Sequence, residues 1–366
     1  MNKSVTNKIE MQNIETDIFS LLSEQEIDVI KKRFGINSGK ETLEEIGKKY
    51  GITRERVRQI ESAVIKKIDV TQRKNIKLNS LKEKVLDLIE EYGGIVEENF
   101  LLDNFFVELD SKEKDLAKFI INKLTDDYLD IFKDKKTKNI IYKSKNLKLD
   151  NFEEIKKDIE EVIEKKKEPL TFEEILGELN LSGIFEKTEK ILDNLYKKSK
   201  TDNSKLFSNT IFSVLHVMNN VDFNVFKKWG ITNWKTITPK RMSDKIYLVL
   251  KQQKEPLHFK KIADFINEYK FDLKKARDVT VHNELIMDPR YVLVGRGIYA
   301  LKEWGYKNGA VSDIIENILK NSKKALLKKE IIDKVRSQRL VKDSTIYLSL
   351  TNNAKFKKTK DGYQLA

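Results

Sequence analysis

The chain has 366 residues, 35% of them charged and 39% hydrophobic, with fourteen glycines and four prolines. At roughly one domain per 100–150 residues this length calls for several small cores, and the composition excludes a disordered chain. The net charge of +13 points to a polyanionic partner, because Lys and Arg that neutralise phosphates release counterions; the Lys-, Asn- and Ile-rich usage of an AT-rich genome accounts for the total equally well.

The first 21 residues form a lead whose start, MNKSVTNKIEMQNIE, lacks a signal peptide's hydrophobic region. No run of about 18 apolar residues follows, so the expected location is cytoplasmic, with no membrane contact. Residues 22–70 read as short helices: LLSEQEIDVIKKRF, a polar loop INSGKE, then two closely spaced helices.

Residues 43–68 meet the constraints of a helix-turn-helix. Two helices crossing steeply need a small residue at their approach and a glycine in the turn, and Gly47 and Gly51 stand at those two places. Ile46, Tyr50, Ile52, Val57 and Ile60 fall where side chains must point into the core. Thr53 is placed to cap the second helix, and Arg56 stands where a capping box would have Glu, so Thr53 caps alone. The outer face of that helix carries Arg54, Glu55, Arg58 and Gln59. These suit the major groove: Arg is bidentate to guanine, Gln to adenine, and Glu accepts from the cytosine amino group.

The segment LSEQEIDVIKKRFGI, continued by ETLEEIGKKYGITRERVRQIESAVIKKI, closely resembles region 4 of primary bacterial sigma factors. That module reads the −35 promoter element and docks on the RNA polymerase β-flap. The resemblance implies that Arg54, Glu55, Arg58 and Gln59 read bases and that Arg33 and Thr42 hold phosphates, with Arg56, Lys66 and Lys67 as further phosphate contacts. The family's arginine early in its first helix is replaced by Gln25. Nothing downstream resembles the sigma region that melts the −10 element, so this chain is not expected to open promoters alone.

Residues 71–80 are polar and basic and read as a linker. Beyond them a theme recurs: EPLTFEEI (168–175) against EPLHFKKI (255–262), then more weakly KALLKKEI (324–331) and GGIVEENF (93–100). An amphipathic helix precedes each. Another helix and a β-prone segment follow each, the segments being DIFKDKKTKNIIYKS, LFSNTIFSVLHV, YVLVGRGIYALKEW and KFKKTKDGYQLA. Helix, turn, helix, helix and two-stranded ribbon is the plan of a winged helix. The expected architecture is therefore mainly α, with a sigma region 4-like helix-turn-helix followed by tandem winged-helix units with small β-wings at 81–148, 152–222, 242–306 and 307–366. A connector at 223–241 holds Trp229 and Trp234, which either pack at a joint or stack on unpaired bases.

The stretch from MSDKIYLVLKQQ to GRGIYALKEWGY resembles the HARE-type helix-turn-helix found at the N-terminus of the RNA polymerase delta subunit. Delta ends in an acidic tail, whereas residues 320–366 here hold 13 Lys/Arg against 4 Asp/Glu. In this unit Gly295 and Gly297 permit a tight turn, Tyr299, Leu301 and Trp304 pack the ribbon, and Arg296 at the tip is placed either to touch a phosphate or to sit in solvent. In the last unit Lys357, Lys358 and Lys360 make a wing suited to holding phosphates without reading sequence.

With no cysteine and three scattered histidines, His216, His258 and His282, no metal or cofactor is expected. No phosphate-binding glycine loop, nucleophile elbow or HExxH occurs, and the carboxylates around Glu108, Asp110 and Glu113 have a solvated helical context, so no catalysis and no small-molecule substrate are expected. Three readings stay open: a promoter-reading transcription protein, a delta-like accessory polymerase subunit, and the DNA-recognition component of a restriction or defence system.

Overall fold

The computed structural model describes residues 8–134, 137–193, 202–307, 309–322 and 324–366. The protein is mainly helical with small antiparallel sheets. It divides into two compact units: one runs up to Asp222 and includes Lys228–Thr232, and the other comprises Phe223–Lys227 and Asn233–Ala366. Among the described residues no helix is long and apolar enough to cross a membrane.

The first unit opens with five helices: α1 (Lys8–Phe19), α2 (Glu24–Phe34), α3 (Leu43–Tyr50), α4 (Arg54–Gln72) and α5 (Ile76–Glu91). The expected linker at 71–80 is largely helix. Asn75 caps α5 by accepting from the Leu78 amide at 3.0 Å, and Leu78 and Leu81 are buried. The stretch looks polar because only every third or fourth residue faces the core. Strand β1 (Ile95–Glu97), helices α6 (Glu98–Phe105) and α7 (Ser111–Leu124), and strands β2 (Leu129–Lys133) and β3 (Ile140–Ser144) complete, with α5, a winged-helix order with sheet order β1-β3-β2. The N-terminal helices and this unit share one core. Met11, Ile14, Ile18, Ile30, Val64 and Ile68 pack in the same cluster as Phe106, Leu116, Phe119 and Ile120, and the Phe34 and Phe119 rings lie 4.9 Å apart.

Helices followed by a two-stranded ribbon recur three times, the first time with an additional helix before the ribbon. Helices Leu149–Lys166, Phe172–Leu181, Ile184–Ile191 and Asn203–Val217 precede strands Val221–Phe223 and Trp229–Ile231. In the second compact unit, helices Met242–Gln253, Phe259–Tyr269 and Asp278–Met287 carry strands Leu257–His258, Tyr291–Gly295 and Ile298–Leu301. These strands repeat the 1-3-2 sheet order of the first winged helix. Helices Val311–Lys320, Lys328–Arg336 and Asp343–Thr351, with strands Phe356–Thr359 and Gly362–Leu365, form the last.

The repeated octapeptides have a common structural role: an apolar residue just before a helix pairs with a buried aromatic of the wing. The pairs are Val96 with Tyr142, Leu170 with Trp229, Leu257 with Tyr299, and Leu326 with Tyr363. This register makes residues 94–101, rather than 93–100, the equivalent of EPLTFEEI. Two further expectations change. The apolar segment 206–217, read as β-prone, is helix, with Leu206, Phe207, Thr210, Ile211, Val214 and Val217 buried at helical spacing. A continuous apolar run does not by itself distinguish a buried helix from a strand. The ribbon of that repeat lies further on, so Trp229, assigned to the connector, is a buried wing residue beside His216, with ring centroids 4.9 Å apart.

Candidate nucleic-acid interface

The N-terminal module is held by local chemistry that its sequence dictates. Ser23 and Glu26 form a capping box on α2, with the Ser23 amide donating to Glu26 Oε2 at 2.8 Å. Thr42 and Glu45 do the same on α3. Gly51 ends α3 at φ +64°, and a Cβ at Gly47 would lie 2.7 Å from the Ile52 carbonyl oxygen, which is why the helix crossing demands glycine there. Val29, Ile46 and Val57 are buried, with Leu43, Tyr50, Ile52 and Ile60 packed around them. Thr53 caps α4 by accepting from the Arg56 amide at 3.2 Å, without a capping box.

This core turns one face of α4 outward. Arg54, Glu55, Arg56, Arg58 and Gln59 are all exposed. Arg58 grips Glu55 through Nε at 2.9 Å and Nη2 at 2.7 Å, and Arg56 Nη1 donates to Gln59 Oε1 at 3.2 Å. The hydrogen bond from Arg58 holds the Glu55 carboxyl below the usual range, and the same bond raises the guanidinium. Both side chains are about 60% exposed, so the pair is weak and exchanges readily for other partners.

Of the residues expected at phosphates, Arg33, Thr42 and Lys67 are more committed. Arg33 Nε donates to Glu61 Oε2 at 3.0 Å, tying α2 to α4. The Thr42 hydroxyl donates to Glu45 Oε2 at 2.8 Å while accepting from the Glu45 amide. Lys67 Nζ lies 3.3 Å from Glu26, and Lys66 is exposed on the same helix. Sequence reasoning missed the network in which Tyr50 donates to Asp28 while Lys32 pairs with the same carboxylate. The i,i+4 spacing of Asp28 and Lys32 and a tyrosine at a core position were the available signals.

The four wing cations belong to the second compact unit. Arg296 is exposed at the tip between Gly295 and Ile298, where Gly297 has φ +70° and a Cβ would lie 2.7 Å from His258 Nε2. Lys357, Lys358 and Lys360 are exposed on and beside the last ribbon. His258 caps its helix by accepting from the Lys260 amide at 3.3 Å, and His282 packs 4.7 Å from Phe259, so both have structural roles. Among the described residues no cluster of three His, Cys, Asp or Glu is arranged to hold a metal.

Residues 18–69 match the family model described as Sigma-70, region 4. Over 64 residues the chain is 41% identical to RNA polymerase sigma factor SigA of Lactococcus lactis subsp. cremoris, covering 17% of this chain and 18% of that protein. It is 47% identical over 53 residues to SigA of a Bacillus sp, covering 14% of each. SigA of Lactococcus lactis subsp. lactis (strain IL1403) is 41% identical over 64 residues, 17% of each. The chain thus spans less than a fifth of the length of these relatives. Geometry and similarity agree that residues 18–69 form a sigma-70 region 4 helix-turn-helix.

Proposed function

We propose that this protein binds double-stranded DNA sequence-specifically in bacterial transcription initiation, as a non-enzymatic cytoplasmic protein. In this reading α4 enters the major groove and Arg54, Glu55, Arg58 and Gln59 read a −35-like element. Arg33, Thr42, Arg56, Lys66 and Lys67 hold adjacent phosphates, and the module contacts RNA polymerase, with the β-flap as its docking point. The observation that carries the reading is the exposed polar face of α4 over a closed helix-turn-helix core, in a segment that matches sigma-70 region 4. The wings hold flanking DNA through Arg296, Lys357, Lys358 and Lys360.

A duplex library bound at two salt concentrations tests this. The intact chain selects a −35-like hexamer, and Arg58→Ala with Gln59→Ala abolishes the selection while leaving salt-sensitive affinity, because base contacts specify and phosphate contacts position. Equal binding to all sequences by the intact chain overturns the reading.

A second reading, an accessory polymerase subunit working through protein contacts, draws on the unit at 242–306 and its proposed HARE-type character. Its third helix, Asp278–Met287, contains no Lys or Arg.

A further inference from the structure

Helix Asp278–Met287 stands in its winged helix where α7 stands in the first one, directly before the ribbon. There α7 is consumed by packing, its Phe119 against Phe34 and its Glu113 within 3.5 Å of Lys8. Helix Asp278–Met287 instead keeps one face outward. Val281 and Leu285 are buried in its own unit, while Val279, Ile286 and Met287 are 70%, 60% and 80% exposed. Asn283 is exposed between them, and the spacing 279, 283, 286, 287 places all four on one stripe. Leu273, on the approach to the helix, is fully exposed.

This chemistry is the opposite of that on α4. A groove-reading helix needs donors and cations, whereas here the outward stripe is apolar except for Asn283 and carries no cation, and the helix itself holds Asp278 and Glu284. The cations lie just before its N-terminal end, where Lys274, Lys275 and Arg277 are exposed. An apolar stripe beside a basic cluster is complementary to an amphipathic protein segment that is apolar along one side and acidic at one end.

We propose that this face docks such an acidic amphipathic helix of a partner protein, not DNA. The partner's apolar side chains lie on Val279, Ile286 and Met287, with Met287 adapting to their shape, and its carboxylates meet Lys274, Lys275 and Arg277. The proposal is independent of what α4 reads.

Panning a phage-displayed library of helix-forming random peptides on the full chain tests it, with Ile286→Glu/Met287→Glu and Lys274→Glu/Lys275→Glu full-length variants as counter-targets. All four positions are exposed, so the core is untouched, and circular dichroism verifies each fold. The expected peptides carry apolar residues at i, i+3 and i+4 with net negative charge, and bind each variant at least about tenfold more weakly than the parent, about 1.4 kcal/mol. The proposal is overturned if no peptide prefers the parent, if the selected peptides are basic, or if the apolar variant loses affinity for duplex DNA at fixed salt, which would assign the helix to a groove.

Discussion

Tyr50 shows how a core position acquires a polar obligation. Its ring packs in the helix-turn-helix core, and its hydroxyl donates to Asp28, which also pairs with Lys32. The bond to Asp28 pushes the hydroxyl up to about 12. Burial pushes the Asp28 carboxyl up, but hydrogen bonds from Lys32 and Tyr50 override it and hold the group below its ordinary value. A raised tyrosine contributes stability that is fully present below its ordinary value near 10 and is lost as pH rises through about 12. Tyr50→Phe is therefore expected to cost about 0.5–1 kcal/mol at pH 7, the low end because Asp28 is partly solvated. Urea midpoints of parent and variant should differ at pH 7 and converge from pH 10 upward; a constant gap would remove this bond from the account. The core place of Tyr50 was legible from spacing, but its partner was not, because Asp28 lies on a different helix. Arg33 makes the same point: read as a phosphate contact, it sits in an ion pair with Glu61, which is 28 residues away in sequence.

At the scale of elements, two helical glycines separate close approach from mere tolerance. Gly47→Ala puts a Cβ 2.7 Å from the Ile52 carbonyl oxygen, a backbone atom that cannot yield without changing the helix crossing. The expected cost is about 1–3 kcal/mol, together with loss of hexamer selection. Gly177→Ala, in helix Phe172–Leu181, meets nothing within 4 Å and should stabilise by about 0.5–1 kcal/mol, since alanine loses less backbone entropy. Thermal unfolding of the two variants gives opposite shifts if backbone proximity decides; equal shifts would refute the argument. The octapeptide repeats were legible because each places an apolar residue directly before a helix. That each such residue faces Tyr142, Trp229, Tyr299 or Tyr363 was not legible, because the aromatic arrives from a strand some 37–59 residues later. The helix at 206–217 escaped for a related reason: buried on several sides, it shows little amphipathic contrast.

For the whole molecule, the wing lysines predict how binding depends on salt. Neutral Lys357→Gln, Lys358→Gln and Lys360→Gln together should flatten the slope of log affinity against log salt by about 0.9 for each phosphate they cease to neutralise, with the preferred hexamer unchanged. A titration of parent and triple variant on one duplex measures this, and an unchanged slope would place the lysines off the DNA. The N-terminal helix-turn-helix, its Thr53 cap and its outward polar face were determined by sequence alone, because glycine φ, capping and i,i+4 spacing act within a few residues. Tertiary structure decided what covers each remaining helix. Helix α7 is spent against α1, α2 and α4, and Asn203–Val217 packs on the first sheet, where the Ser213 hydroxyl donates to the Ile95 carbonyl. Asp278–Met287 keeps an open apolar face. Each amphipathic helix declares that it has a face to bury, but the surface that buries it is assembled from distant residues, and no local spacing encodes that choice.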